Sequence, residues 1–213
     1  FLAKLLKDRS GLAITPDKSY LLESRLMPLA RRYGLKSLDE IVARLRGRSE
    51  ELARDVTEAM TTNESFFFRD QKPFDLFRDV VLPQFLESRA QRRSFRIWSA
   101  ACSSGQEAYS LAILLKEASA KLAGWKIDIV GTDLSKEILA KAKTGLYSQF
   151  EVQRGLPIQM LIKHFVKKDE SWQIDASLRA MVRFQEWNLL DDLKGLGQFD
   201  VVFCRNVLIY FDP

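Results

Sequence analysis

Phe95-Arg96-Ile97-Trp98-Ser99-Ala100-Ala101-Cys102-Ser103-Ser104-Gly105-Gln106-Glu107-Ala108-Tyr109-Ser110-Leu111-Ala112-Ile113-Leu114-Leu115 is the stretch on which the fold turns. Its first four residues form a short apolar run, the pattern of a buried strand. Ser99 to Gly105 make a loop of small residues, and an apolar-periodic helix is expected over 106–122. Strand, small-residue loop and helix in that order open a nucleotide-binding α/β unit. Small side chains let a ligand lie against the backbone, and the helix start offers N–H groups to its polar atoms. The stretch holds one glycine, Gly105, where a dinucleotide fingerprint has three, so a pyrophosphate-binding loop is not favoured.

Downstream, strands and helices alternate. The pattern predicts a strand over 126–131 ending at Thr132-Asp133, then a helix over 136–143 capped by Ser135 and stopped by Gly145. A helix over 156–165 follows, with short strands at 172–174 and 181–184 around a small excursion, and an apolar last strand at 199–204. Such alternation implies a parallel, right-handed, doubly wound sheet that binds ligands at the carboxyl ends of its strands. Upstream, residues 1–60 read as helices. Leucines and Met27 recur at helical spacing over 17–33, Gly34 is a stop, Ser37-Leu38-Asp39-Glu40 resembles a capping box, and 49–60 is a further helix. Phe66-Phe67-Phe68 within 61–72 suits a buried connection, and Pro83 is expected to kink a helix over 73–88. The fold class is therefore α/β. The expected organisation is a helical domain with linker over 1–72 (linker about 61–72), and an α/β domain over 73–213.

Hydrophobic content of 46% and charged content of 29% in 213 residues belong to a globular chain. No run of about 18 apolar residues exists, so no membrane span is expected. Lys4 and Lys7 interrupt the start too early for a signal peptide, and the expected setting is the cytoplasm. Cys102 and Cys204 make neither a disulfide framework nor a metal spacing and read as packing residues; no metal is expected. The one histidine, His164, excludes a His-based triad and a multi-His zinc site. The net charge of +5 favours acidic partners, with Arg25, Arg31, Arg32, Arg44, Arg46, Arg48 and Arg54 decorating the N-terminal helices. Such a run is a solvated face or a dock for an acidic helix. Aromatic residues are not interleaved with the basic ones and no Asn/Asp-Pro-Pro-Tyr/Phe motif occurs, which disfavours nucleic acid.

Four features fall at the strand ends: the loop 100–105 with Glu107; Asp133; Asn188-Leu189; and Cys204-Arg205-Asn206. A carboxylate after the second strand accepts hydrogen bonds from both ribose hydroxyls. An amide beside an apolar side chain holds an adenine by edge and face. Taken singly, Asp133 also fits a helix cap, Asn188 a turn, and His164 an ordinary helix position. Taken together they fit a ligand with a ribose, an adenine and no pyrophosphate, which is S-adenosylmethionine.

Thr61-Thr62-Asn63-Glu64-Ser65-Phe66-Phe67-Phe68-Arg69-Asp70, Trp98 to Glu107, Gly131-Thr132-Asp133 and Phe203-Cys204-Arg205-Asn206-Val207-Leu208-Ile209-Tyr210-Phe211 resemble the CheR-type chemotaxis receptor methyltransferases over nearly the whole chain. The resemblance implies a small helical domain ahead of a class I, Rossmann-like methyltransferase domain with a small antiparallel β excursion near residues 166–186. It implies transfer of a methyl group from S-adenosylmethionine, with S-adenosylhomocysteine as product, to glutamate carboxylates on the cytoplasmic helical bundle of chemoreceptors. The basic N-terminal helices would dock that bundle, with no nucleic acid and no membrane insertion. Asn63, Ser65, Arg69, Glu107, Asp133, Asn188, Leu189, Arg205 and Asn206 match cofactor-contacting positions, Tyr210 a tyrosine near the methyl, and Arg89 is taken as the arginine near it. Gln106-Glu107-Ala108-Tyr109-Ser110 departs from the usual Glu-Glu-Pro-Tyr-Ser, and Ser65 stands where Thr is usual. The family continues past the position of Pro213, so the C-terminal strands are expected to lie beyond this sequence. Lys168-Asp169-Glu170 lacks the glycine of members that bind a receptor tail, which points to a tail-independent member. A different methyl acceptor, or a non-catalytic adaptor with the same fold, is the alternative.

Overall fold

A computed structural model describes residues 1–211; Asp212 and Pro213, where the expected α/β domain ends, lie outside the described residues. The chain forms two compact units. Residues 1–62 group with 188–192 and 206–211, and residues 63–187 with 193–205.

The first unit is built on α1 (Leu2–Ser10), α2 (Tyr20–Arg32), α3 (Leu38–Arg46) and α4 (Glu50–Met60). Each buries one apolar stripe, and the stripes meet through Leu6, Leu26, Ile41, Leu52, Val56 and Met60. The predicted helix borders hold because their causes are local. Ser37 Oγ accepts the Glu40 N–H at 3.2 Å, while the Glu40 carboxylate turns back to the Lys36 N–H at 2.8 Å. Several arginines are not a plain solvated face. Arg25 donates to the Met60 and Thr61 carbonyls at 2.8 and 3.0 Å and so caps the end of α4. Arg32 and the Tyr33 hydroxyl share Asp55, and Arg9 pairs with Glu50. Arg31, Arg48 and Arg54 are exposed. The C-terminal segment joins this unit through a Leu12–Phe211 bridge and an Ala13 N–H donating to the Tyr210 carbonyl at 2.9 Å.

The second unit begins with the linker and one long helix. The helix runs as α5 (Lys72–Leu76), a π turn over Phe77–Val81, and α6 (Leu82–Ser88). The expected kink at Pro83 takes the form of that widened turn, which absorbs the missing proline N–H without breaking the helix. There follow β1 (Ser94–Ala100), α7 (Gln106–Glu117), β2 (Lys126–Asp133), α8 (Lys136–Thr144), β3 (Leu146–Ser148), α9 (Gln149–Gln153), α10 (Ile158–His164), β4 (Phe165–Lys168), β5 (Ser171–Ile174), α11 (Ala176–Arg179), β6 (Val182–Glu186) and β7 (Val201–Cys204). Ser135 caps α8 by accepting the Ile138 N–H at 3.2 Å, and Gly145 ends it at φ +61°.

The main sheet is parallel, in the order β6-β2-β1-β7. Its register sets Ala100 opposite both Thr132 and Cys204, and Asp133 opposite Glu186, so the carboxyl ends are level. β1 is buried from Ile97 to Ala100, as a central parallel strand must be, and α7 is buried over almost its whole circumference. Strand order reverses at β1, with β2 on one side and β7 on the other. This is the switch point at which open α/β sheets bind ligands.

The small antiparallel sheet, order β3-β5-β4, spans Leu146 to Ile174. The expectation that 181–184 belongs to this excursion is corrected: Val182–Glu186 is an edge of the parallel sheet, paired to β2. Packing decides this. The Phe184 ring packs against Gly131 of β2, where a Cβ would come within 2.7 Å of the ring, so the strand docks only over a residue without a side chain. In the β4–β5 turn Asp169 takes a left-handed φ of 51°, the conformation a glycine would otherwise supply. Among the described residues no helix is long and apolar enough to cross a membrane, and no group of three or more His, Cys, Asp or Glu could hold a metal ion.

Candidate functional site

The switch point of the second unit gathers charged side chains from four separate segments. After β1 the chain turns through Ala101 and Ser103, both at left-handed φ (53° and 52°), before Gly105 starts α7. Small residues tolerate this path best, and it turns backbone groups toward the strand ends. The Cys102 N–H donates to the Thr132 carbonyl at 2.8 Å and ties the loop to β2. The Ser103 N–H donates to one oxygen of Asp133 at 2.8 Å, and the Ser135 N–H to the other at 3.0 Å. Asp133 is thus buried and both shapes the loop and caps the next turn. The cap reading and the ligand reading of this residue are compatible, because a carboxylate has about four acceptor sites.

Glu107, in the first turn of α7, accepts from Ser99 Oγ at 2.7 Å and from Arg205 Nη1 at 3.0 Å. Burial pushes its carboxyl above the usual range, and the Ser99 hydroxyl and the Arg205 and Arg69 charges pull it back only in part. An anion this poorly solvated favours any added positive charge or N–H donor. Arg205 follows β7, and its Nη2 donates to the Arg69 carbonyl and to Asp70, both at 2.7 Å. One guanidinium therefore joins the start of α7, the end of β7 and the linker.

The linker is held at both ends of its run. Ser103 Oγ donates to the Asn63 carbonyl at 3.1 Å, and the Phe68 N–H to Ser110 Oγ at 3.0 Å. Phe67 is fully buried, edge-on to Tyr147 and Phe165 with centroids 5.0 and 5.5 Å away. Tyr147 in turn donates its hydroxyl to the Ser104 carbonyl at 2.7 Å. Arg69 Nη1 donates to the Glu64 carbonyl at 2.8 Å.

Of the residues singled out from sequence, Asn63, Ser65, Arg69, Glu107, Asp133 and Arg205 lie in this unit, and the linker, the loop, α7 and β7 are joined by the bonds above. Asn188, Leu189, Asn206 and Tyr210 belong to the first unit. There Asn188 Nδ2 donates to the Arg9 carbonyl at 2.5 Å, Asn188 Oδ1 accepts the Leu190 N–H at 3.1 Å, and Asn206 sits at φ 56°. Arg89 is a correction. It ends α6, pairs with Asp200 at 2.7 Å and stacks over Phe85 at 4.4 Å, beside the amino ends of β1 and β7. β1 alone separates those ends from the candidate site by roughly 20 Å, at about 3.3 Å per residue. Arg89 closes the bottom of the sheet, whereas Arg205 stands at the carboxyl end of β7, bonded to the Arg69 carbonyl. Asp70 was not singled out from sequence. Its one signal was its place directly after Arg69, and its pairing with Arg205 spans most of the chain. Cys102 is buried with its thiol pushed well up, the behaviour of a packing residue.

A family described as CheR methyltransferase, SAM binding domain, matches residues 63–213, and one described as CheR methyltransferase, all-alpha domain, matches residues 1–61. The chain is similar to the Pseudomonas putida protein named chemotaxis protein methyltransferase Cher2, 41% identical over 97% of this chain and 76% of the relative. It is 42% identical to Pseudomonas aeruginosa chemotaxis protein methyltransferase 1, with the same coverage. A Borreliella burgdorferi chemotaxis protein methyltransferase is 34% identical over 99% of this chain and 76% of its own length.

Proposed function

The chain belongs to the CheR methyltransferases, S-adenosylmethionine-dependent enzymes of chemotaxis, and from that premise we propose that it esterifies glutamate side chains of chemoreceptors. The observation that carries the reading is the presence of two unlike carboxylates about the β1–α7 loop, Asp133 at the end of β2 and Glu107 in the first turn of α7. Asp133 is held by backbone N–H groups, and Glu107 is desolvated and short of positive charge. The first suits the hydroxyls of a ribose and the second the ammonium of a methionine end. The small side chains of the loop suit the close approach of a nucleoside to the backbone. In this reading Arg205 and Asn206 flank the methionine end, Asn63 and Ser65 contribute from the linker, and Asn188 with Leu189 keeps the adenine role that the resemblance implies.

When bound, S-adenosylmethionine offers a methyl group on a positive sulfonium, so that a carboxylate oxygen takes the methyl, sulfur keeps the C–S electron pair, and no proton has to move. A glutamate with pKa near 4.3 is ionised at neutral pH and needs no general base. The chain's own chemistry agrees with this. Its one histidine, His164, is bonded to Glu117 at 2.7 Å, at the far end of α7 from Glu107. The work left to the protein is orientation, which supplies roughly 7–11 kcal/mol in favourable cases. Arg69 steadies one oxygen of the incoming carboxylate while the other attacks, and Tyr210 keeps the role near the methyl that the resemblance implies. One arm of the guanidinium is held by the Glu64 backbone carbonyl, which fixes the direction from which it meets the nucleophile. The exposed arginines of the helical unit suit an acidic receptor bundle and raise the encounter rate. The setting we infer is the cytoplasm.

Transfer of labelled methyl from S-adenosylmethionine to receptor-containing membranes tests the proposal. Label released as methanol by mild alkali is the expected result. Label resistant to alkali, or none on the receptor, overturns the glutamate ester.

A further inference from the structure

Arg154 and Gly155 form the turn between α9 and α10, and they press against the linker. A Cβ on Gly155 would lie 2.0 Å from the Phe67 carbonyl oxygen, 3.2 Å from its carbonyl carbon and 3.0 Å from the Phe66 ring, and Gly155 is at φ +80°. Backbone meets backbone there, and only a hydrogen fits between. The neighbouring Arg154 pairs with Glu64 Oε1 at 2.8 Å, and its guanidinium lies 4.2 Å from the centroid of Phe66. The Arg69 guanidinium approaches the same ring at 5.6 Å and donates to the Glu64 carbonyl. Glu64 and Phe66 therefore touch both arginines.

The next residues do not hold their shape unaided. Phe68, Asp70 and Gln71 all have positive φ (52°, 63° and 36°), a region that side-chain-bearing residues rarely adopt. Ser110 and Arg205 restrain this end of the linker, and Phe67 is seated between Tyr147 and Phe165. On the Glu64–Phe67 side the restraint comes from the Arg154–Gly155 turn.

We propose that this turn is a positioning element for methyl transfer: it sets the height and register of the linker, and through it the place of Arg69 at the strand ends. Arg154 and Gly155 touch no reacting atom; they act through Glu64, Phe66 and Phe67. The inference rests on the reading of Arg69 given above. It also gives the α9–α10 turn, which packs beside the small sheet, a task in the main reaction.

Gly155→Ala and Arg154→Gln test it, assayed for receptor methylation, for S-adenosylhomocysteine affinity by calorimetry, and for hydrogen exchange at the amides of residues 66–70. A side chain at Gly155 displaces the linker by ångströms. The expected result is a loss of about 100-fold in kcat/KM, the cost of misplacing a reacting group by about 1 Å, with faster exchange at those amides. Arg154→Gln is expected to lower kcat/KM several-fold at unchanged melting temperature, because its ion pair is exposed. The swap Glu64→Arg with Arg154→Glu is expected to restore most of that loss, which assigns it to the pair; a fall in kcat/KM with faster exchange at residues 66–70 and an unchanged melting temperature is what a merely structural role would not give. Wild-type kinetics and wild-type exchange in both single variants overturn the inference. Should Gly155→Ala fail to fold, Arg154→Gln and the swap decide. Should the wild-type protein methylate no receptor, the functional reading fails, and the exchange measurement still judges the positioning role by itself.

Discussion

Glu107 Oε2 lies 3.0 Å from Arg205 Nη1, a part-buried ion pair that joins the start of α7 to the end of β7. The pair does not fully offset the burial of the carboxylate, whose pKa stays raised. A carboxyl with a raised folded pKa favours the fold below its unfolded value of about 4.5, and that contribution is lost as pH rises through the folded value. Glu107→Gln is therefore expected to flatten the pH dependence of stability above pH ~5. In the absence of cofactor it should melt no lower than wild type at neutral pH, and it should bind S-adenosylhomocysteine about 10- to 100-fold more weakly, as for loss of one charged hydrogen bond. Thermal melts across pH, paired with calorimetry, read both effects. Undiminished affinity would remove Glu107 from the cofactor's contacts.

Asp133→Ala is expected to abolish S-adenosylhomocysteine binding in the calorimeter. It also leaves the buried Ser103 and Ser135 N–H groups without their carboxylate, so the loop should loosen at a cost of about 1–3 kcal/mol per unmet donor. Retained affinity contradicts the ribose role even if stability falls.

Gly131→Ala is a test of the sheet rather than of the chemistry. Its Cβ would meet the Phe184 ring at 2.7 and 2.8 Å and Cys102 Sγ at 3.1 Å. Overpacking of this kind costs about 1–3 kcal/mol, to be read from the urea midpoint. Adding Phe184→Leu should recover part of the loss, and strict additivity of the two changes would argue against the contact.

Arg89→Gln is expected to lower the melting temperature, because it removes the ion pair of the part-buried Asp200, whose carboxylate then keeps the Arg96 N–H at 2.7 Å as its hydrogen-bond donor. The kcat per folded molecule should not change. A kcat loss larger than the folded fraction explains would restore Arg89 to the active site.

Arg31 and Arg54 are exposed, whereas Arg25 and Arg32 support the helical unit itself. Replacing Arg31 and Arg54 by Gln should slow receptor methylation without changing cofactor affinity, and should weaken the salt dependence of the rate. Initial rates over an ionic-strength series check this; wild-type rates and salt dependence would remove the docking argument.

The parts legible in sequence share a physical cause. Helix starts at Ser37 and Ser135, the stop at Gly145, and the β1–loop–α7 unit are set by residues within one or two turns of each other, where capping, φ preference and apolar period act. The positions of Asp133 at the end of β2 and of Glu107 in the first turn of α7 were legible for the same reason.

What only the tertiary structure decided is non-local. A five-residue strand such as Val182–Glu186, with two apolar residues facing inward, carries no mark of which sheet it joins; its pairing with β2 places Phe184 over Gly131. Arg89 and Arg205 look alike as isolated arginines. One closes the foot of the sheet and the other links three segments at its head, because their partners Asp200 and Asp70 lie more than a hundred residues away in the chain. The close approach of Gly155 to the Phe67 carbonyl is likewise a contact between segments far apart in the chain. Local preferences determined the elements and the two carboxylates, while pairing between distant segments, which no short window encodes, determined which charges meet.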